Sequence, residues 1–337
     1  MAPLIADIIE NPRYVPHRVS LAGNSITFIP ADPEALRSAS FIDGRSDFSS
    51  GVSIDVDLRD ILNHPIAAPG PDRLIFHVGF CGSTLLSRLL DQPGQSLVLR
   101  EPNCLADLAN HVASADRESR DKGDLAAIMP ALWALLRRRW DRDEPVVVKP
   151  SNWINNIAPD LCAAGRAVRP LFLTMPRAAF VRAVFRGGPE RLAFAARAAV
   201  HLSTRGSENA ELVAAALGRS TDQPGKLAAL AVVAHEIQMR LLREAAAQGG
   251  WSDAHWLTLD ELASDPRVAA RKAADALAIT LPEPGLDAAC ERWLSRHAKQ
   301  PDTRYSAEAE ADADRRATAD HGADIDAALR WAEDALR

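Results

Sequence analysis

The chain has 337 residues, of which 47% are hydrophobic and 25% charged, and its formal net charge is -6. This composition is typical of a globular protein, and the acidic balance argues against a broad basic surface for nucleic acid. The four cysteines form no CxxC pair and no Cys/His cluster at zinc spacing, so we expect neither a disulfide framework nor a metal site.

The first 70 residues are predicted to form a small β-rich extension. An acidic residue comes early and no basic region precedes a long apolar run, so no signal peptide is indicated. The run 25–29 fits a strand, and Pro33 after Asp32 is typical of a short helix. Prolines and a glycine between 65 and 71 then indicate a connector into the main body.

The main body, residues 71 to 300, alternates short apolar runs with segments of helical periodicity. Five runs are nearly all apolar, as are strands buried on both faces of a parallel sheet, and they cover 74–78, 97–99, 146–148, 171–173 and 256–259. The pattern predicts a doubly wound α/β fold with a mainly parallel five-stranded sheet flanked by helices.

Two helical segments in the second half of the chain bear on localisation and on the tail. The best apolar helix, about 226 to 248, contains histidine, glutamate and arginines that would be costly in lipid, so we predict no membrane span. The scattered cysteines predict reduced thiols and hence a cytoplasmic protein. Residues 301 to 337 are predicted to pack on the same domain as a helical segment, with an acidic, alanine-rich stretch before a closing helix.

The sequence around residue 80 carries the main candidate site. An apolar run ends at Val78, small residues follow, and leucine pairs at four-residue spacing indicate a helix from Ser83. The N–H groups of such a turn converge with the positive end of the helix, which suits a phosphate or sulfate group. A turn without a ligand is the alternative, and Cys81 is expected to fill the turn rather than to react. The candidate anion-binding residues are Gly79, Phe80, Cys81, Gly82, Ser83 and Thr84.

Further candidates follow the other strands, because ligands of such sheets gather beyond the carboxyl ends of the strands. Lys149 ends an apolar strand, so it either faces a bound anion or lies exposed at the strand end. Glu101 is a candidate general base, with a salt bridge to Arg100 or Arg88 as the alternative. A basic group near the tail either contacts a ligand or complements a helix C-terminus, and its members are Arg296, His297 and Lys299.

The segment Gly79-Phe80-Cys81-Gly82-Ser83-Thr84-Leu85-Leu86 resembles the 5'-phosphosulfate loop of the P-loop sulfotransferase superfamily, in which a Gly-Ser/Thr-Thr core follows a strand and opens a helix. Two later segments, 97–102 and 259–266, are similar to the family's second strand and to its late acidic turn. The resemblance implies a P-loop fold and an enzyme that moves a sulfuryl group from 3'-phosphoadenylyl sulfate to a small-molecule or carbohydrate acceptor with a hydroxyl or amine.

The resemblance also implies roles for single residues, with no metal required. The loop 79–84 holds the 5'-phosphosulfate end, and Glu101 deprotonates the acceptor. Lys149 and Arg88 are expected to stabilise the transferring group. The 3'-phosphate is expected to be bound by Arg177, by Arg182 or by the basic group near the tail.

Some positions depart from known patterns. Phe80 stands where the sulfotransferase loop has Lys or Arg, and Thr174 stands where the family has an arginine at a strand end. The GxxxxGK[ST] pattern of nucleotide-binding loops is not met either, because His77 and Ser83 replace its first glycine and its lysine. Two alternatives stay open: a phosphotransferase or hydrolase that uses ATP or GTP with Mg²⁺, and a non-catalytic nucleotide-binding protein.

Overall fold

The computed structural model describes residues 3–67, 70–114, 122–141, 143–163, 167–219, 222–304 and 306–335. Its centre is a five-stranded sheet of β4 (Asp72–His77), β5 (Leu97–Arg100), β6 (Val146–Lys149), β7 (Val168–Thr174) and β8 (Trp256–Thr258). All five strands are parallel, in the order β5-β6-β4-β7-β8. The five predicted strands and the α/β class are thus confirmed, and the sheet is wholly rather than mainly parallel.

The central strand β4 marks the place where the chain changes direction across the sheet. From β4 the chain passes to the edge strand β5, then returns through β6 and crosses to β7 on the other side of β4. In open α/β sheets such a reversal opens a crevice at the carboxyl ends of the strands, and ligands bind there. The segment after β4 and the last residue of β6, Lys149, therefore border the crevice.

The N-terminal residues form a small antiparallel sheet of β1 (Tyr14–Ser20), β2 (Ser25–Pro30) and β3 (Ile54–Asp57), in that order. Three short helices accompany it: α1 (Ile5–Glu10), α2 (Pro33–Ser38) and α3 (Leu58–Asn63). The predicted strand at 25–29 and the helix after Asp32 are both present. Pro33 occupies the first turn of α2, where its missing N–H costs no hydrogen bond.

Helices cover both faces of the parallel sheet. Between the strands lie α4 (Ser83–Leu90), α5 (Asn103–Ser114), α6 (Lys122–Leu136), α7 (Ala158–Ala163), α8 (Arg177–Arg186), α9 (Gly188–Ser203), α10 (Ser207–Arg219) and α11 (Gln223–Gly249). After β8 follow α12 (Leu259–Ser264), α13 (Pro266–Leu277) and α14 (Glu283–Trp293), and 3₁₀ turns span Asn152–Ile157 and Asp253–His255. Within the described ranges, no helix combines the length and the apolar composition that crossing a membrane requires.

The tail contains a hairpin and one long helix. The strands β9 (Arg296–His297) and β10 (Gln300–Arg304) pair antiparallel, and α15 (Ala307–Ala335) follows. The acidic stretch and the closing helix that were predicted separately thus form one helix, as its many alanines favour. Arg186 of α8 anchors the acidic part by ion pairs to Glu310 at 3.1 Å and Asp314 at 3.0 Å.

Buried arginines join the N-terminal extension to the main body, and Arg100 and Arg88 are the ones that hold the end of α2. Arg100, 1% exposed, pairs with Asp91 at 2.6 Å and donates to the carbonyl oxygens of Leu36 at 2.8 Å and Ala39 at 2.9 Å. Arg88 is equally buried and donates to the carbonyl oxygens of Arg37 and Ser38, which lie between those two residues. Because the end of α2 is fixed in this way, the segment after it is held against the carboxyl end of β5.

Candidate functional site at the carboxyl edge of the sheet

The loop between β4 and α4 turns through two left-handed residues. Phe80 has φ +64 and Gly82 has φ +80. A Cβ at Gly82 would lie 3.0 and 3.1 Å from side-chain carbons of Leu262 and Leu259 on α12, so both the conformation and the packing require glycine there. The start of the loop is held by α11, since the N–H of Gly79 donates to Gln238 Oε1 at 3.2 Å.

The backbone of this loop presents several free donors. Among the described residues, no group accepts a hydrogen bond from the N–H of Phe80, Gly82, Thr84 or Leu85. The Gly82 N-cap supplies no capping side chain, so the N–H groups of Thr84 and Leu85 in the first turn of α4 have no acceptor in the described part of the chain. Unpaired N–H groups at a helix N-terminus form an anion-binding concavity, and the positive end of the helix favours negative charge there.

Cys81 is a packing residue of the loop. It is fully buried, and its thiol donates to the carbonyl oxygen of Val78 at 2.9 Å. Burial raises the pKa of this thiol to about 12, despite the nearby charge of Lys149. A thiol with this pKa is not a nucleophile at neutral pH, in agreement with the expectation that Cys81 fills the turn.

Lys149 and Glu101 form a buried ion pair at the ends of neighbouring strands. Lys149 is 1% exposed, and its Nζ donates to Glu101 Oε1 at 2.5 Å. An exposed lysine at the strand end, one of the two interpretations of the sequence, is therefore wrong. The salt bridges of Glu101 run to Lys149 and Arg45, not to Arg100 or Arg88, whose donors point to the extension.

Glu101 has a strained backbone and a perturbed carboxylate. Its φ is +58, and it precedes Pro102, so a costly conformation is held by the hydrogen bond from its N–H to Lys149 O at 2.7 Å. Burial opposes ionisation of Glu101, but the charge of Lys149 and its hydrogen bond outweigh this and lower the pKa below the ordinary value. The carboxylate is thus ionised, and its side chain keeps 13% of its surface exposed.

Phe80 carries two cations on its ring. Arg191 Cζ lies 5.0 Å and Lys299 Nζ lies 5.9 Å from the ring centroid, which is within the range of a cation–π contact. Partial removal from water and the positive charge of Lys149 lower the pKa of Lys299. Positive charge thus reaches the loop from α9 and from the tail hairpin, although residue 80 itself has none.

Arg191 reaches the loop because Gly187 leaves room for it. A Cβ at Gly187 would lie 1.8 Å from Arg191 Cδ, so the arginine folds back over a backbone that must be glycine. Its Nη1 donates to Ala183 O at 3.0 Å. Arg191 was not predicted from the sequence, and the glycine pair at the start of α9 is the one sequence signal that could have indicated it.

The structure brings some of the predicted residues together and places others elsewhere. The loop 79–84, Glu101, Lys149 and Lys299 meet at one edge of the sheet. Arg88 lies in the last turn of α4 and uses its donors on the extension, so it holds the fold there instead of facing the loop. Arg177 pairs with Glu236 at 2.8 Å. Arg182 and Arg296 are exposed, and the side chain of His297 lies outside what the structure describes.

The N-terminal extension contributes to the site in a way that was not predicted from the sequence. Arg45 pairs with Glu101 Oε2 at 2.7 Å, and its Cζ lies 4.0 Å from the centroid of the Phe41 ring. The same ring lies 5.7 Å from Lys149 Nζ. The apolar and charged residues between 39 and 47 show no motif, so their place at the site follows only from the fold.

No known family profile matches this chain, and no curated protein matches it either. Inference about its function therefore starts from the geometry of the site. That geometry combines free backbone donors, several cations and one ionised carboxylate at the carboxyl edge of a parallel sheet.

Proposed function

We propose that the protein is a P-loop sulfotransferase-like enzyme that moves a sulfuryl group from 3'-phosphoadenylyl sulfate to a hydroxyl or amine acceptor. One observation carries the proposal: four N–H groups of the loop, those of Phe80, Gly82, Thr84 and Leu85, have no acceptor among the described residues. The order of the resembling motifs along the chain supports the sulfuryl donor in particular.

The loop and its neighbouring cations fit the anionic end of such a donor. The free N–H groups and the hydroxyls of Ser83 and Thr84 bind oxyanion oxygens, and Lys149 lies at the end of the adjacent strand. Arg191 and Lys299, held on the ring of Phe80, supply the cationic charge that the family loop carries at that position. When bound, the donor supplies the sulfuryl group.

Glu101 fits the role of the acceptor base. Its carboxylate is ionised at neutral pH because Lys149 holds its pKa down, and it can accept the proton of an acceptor hydroxyl within hydrogen-bond distance. Lys149 contacts this carboxylate and lies at the end of the strand beside β4, so it also stabilises negative charge that develops near the loop.

Calorimetric titration tests the proposal with adenosine 3',5'-bisphosphate, ATP and GTP, each with and without Mg²⁺. We expect binding of the bisphosphate without metal, weakened about tenfold by Lys299→Ala, since a hydrogen bond to a charged group contributes about 1.5 kcal/mol or more. Arg197→Ala, on the exposed face of α9, is the matched control and leaves the affinity unchanged.

The other outcomes identify the alternatives. If ATP or GTP binds only with Mg²⁺ and the bisphosphate does not bind, the proposal of a sulfuryl donor is overturned. That result favours a phosphotransferase or hydrolase. Binding of the bisphosphate without transfer of labelled sulfate to any of a panel of hydroxyl and amine acceptors favours a non-catalytic nucleotide-binding protein. No binding across the panel overturns the nucleotide site itself.

A further inference from the structure

The segment that follows α2 supplies a second partner to Glu101. Arg45 donates to Oε2 at 2.7 Å while Lys149 donates to Oε1 at 2.5 Å, so the two oxygens of one carboxylate are held from opposite parts of the chain. Asp43 orients the arginine, because its Oδ2 accepts from Arg45 Nε at 2.6 Å. Phe41 lies under the guanidinium and fixes its plane.

The two partners of Glu101 differ sharply in their access to solvent. The side chain of Lys149 is 1% exposed and that of Arg45 is 59% exposed. Separating Lys149 from Glu101 would leave the buried ammonium of Lys149 without an anionic partner, whereas Arg45 can move into water at little cost. The oxygen of Glu101 that can change its partner is therefore Oε2.

The position of Arg45 is built into the fold and is not a chance surface contact. Arg88 and Arg100 fix the end of α2, and Ile42 N donates to Arg100 O at 2.8 Å. Ser40 adds a further tie, since its Oγ donates to Lys299 O at 2.9 Å. The extension thus joins β5 and the tail hairpin at the rim of the site.

We propose that Arg45 is a positioning residue for Glu101: it holds Oε2 of the carboxylate in the free protein and yields that oxygen to the acceptor group when an acceptor binds. The first part concerns the folded protein alone. The second part rests on the proposed function, because it assumes that Glu101 receives the proton of the acceptor.

The first part is tested by following the carboxyl carbon of Glu101 by NMR during a pH titration of the full chain. The charged or titratable groups that face Glu101 are Lys149 from β6, His77 from β4, Lys299 from the tail hairpin and Arg45. Burial and the charge of Lys149 lower the pKa of His77 to about 3, so His77 is neutral above that pH. Because His77, Lys149 and Lys299 are the same in every variant, the comparison of variants isolates Arg45.

We expect the midpoint of Glu101 to move to higher pH in Arg45→Ala, to return toward the wild-type value in Arg45→Lys, and to stay unchanged in the control Arg59→Ala on α3. Arg45→Gln is the second variant, and it raises the midpoint as Arg45→Ala does, because it too removes the positive charge beside Oε2. Identical midpoints for wild type, Arg45→Ala and Arg45→Gln overturn the positioning role.

The second part is tested by sulfuryl transfer with the acceptor that the panel identifies. We expect Arg45→Ala to change the KM for the acceptor and the acid limb of the pH profile, with little effect on the affinity for adenosine 3',5'-bisphosphate. An unchanged acceptor KM overturns the exchange of partners. If the bisphosphate does not bind at all, the proposed function fails, yet the NMR titration still decides whether Arg45 positions Glu101.

Discussion

Lys149 Nζ lies 2.5 Å from Glu101 Oε1, across the carboxyl ends of two adjacent parallel strands. Lys149 is the last residue of β6, and Glu101 directly follows β5. The register pairs Arg100 with Lys149, so the residue after Arg100 turns across the end of β6. The left-handed conformation of Glu101 directs its carboxylate back to the lysine. This pair couples the stability of the sheet edge to the chemistry proposed for the site.

Breaking the pair from the Glu101 side is expected to destabilise the fold by about 3 kcal/mol, because it leaves the buried ammonium of Lys149 without an anionic partner. Glu101→Gln tests this by urea denaturation at pH 7. The double variant Lys149→Met/Glu101→Gln removes both charges and is expected to recover much of the loss. Equal stability of the single and double variants would show that the pair is not formed.

Gly82→Ala is expected to destabilise the protein and to abolish anion binding, since it strains a left-handed residue and presses a methyl group against α12. Gly94→Ala is the matched control: its φ is +75, but no atom lies within 4 Å of the added carbon. The control costs only the backbone term of about 1 kcal/mol. The same loss in both variants, measured by thermal unfolding, would argue against the packing role of Gly82.

Arg191→Ala and Lys299→Ala are each expected to weaken the binding of adenosine 3',5'-bisphosphate, and the double variant to weaken it further. Both cations lie against the ring of Phe80 at the mouth of the loop. Since part of their contribution is long-range attraction, wild-type affinity is expected to fall more steeply with salt than that of the double variant. Parallel salt dependences, measured by calorimetry, would contradict a direct role.

The stability of the protein is expected to fall as the pH drops below 6.5, in part because of His235. This histidine is buried, its Nε2 is 2.9 Å from Met175 O, and its Nδ1 has no partner among the described residues. Burial lowers its pKa to about 4. Between pH 6.5 and 4 the unfolded chain therefore binds one more proton than the folded chain, which favours unfolding in acid.

The variant His235→Gln keeps a donor for Met175 O and removes the titration. We expect it to reduce the slope of the unfolding free energy against pH by about 1.4 kcal/mol per pH unit in this window. Urea denaturation at pH 7, 6 and 5 measures the slope. His255→Gln is the control, since that histidine is less buried and its neutral form is less strongly favoured.

The strands of the parallel sheet could be predicted from short-range sequence patterns. Each predicted strand is a run of apolar residues that must be covered on both faces, and such a run has few alternatives in a folded chain. The loop could also be predicted from local sequence, since a tight turn followed by a helix start requires Gly82 and favours the hydroxyl residues after it. Sulfuryl transfer by this loop stays a prediction.

The partners of the site residues were not readable. From the sequence, Lys149 was predicted to be either exposed or in contact with a ligand, and Glu101 to pair with Arg100 or Arg88. A single sequence shows only which residues are close along the chain, so it could not indicate the actual partners. The structure joins Glu101 to Lys149 across two strands and to Arg45 from the extension. Lys299 was expected either to contact a ligand or to complement a helix C-terminus, and its position over the ring of Phe80 is compatible with the first of these.

The loop, the strand ends and the helix start are local features, and steric limits on the backbone together with burial of apolar runs determined them from the sequence alone. The charges around the loop come from segments as distant in sequence as residues 45, 101, 149, 191 and 299. Their meeting depends on strand order, on Arg88 and Arg100, which hold the end of α2, and on the glycine that leaves room for Arg191. Only the tertiary structure decides these contacts, because an ion pair between distant residues leaves no periodic trace in the chain.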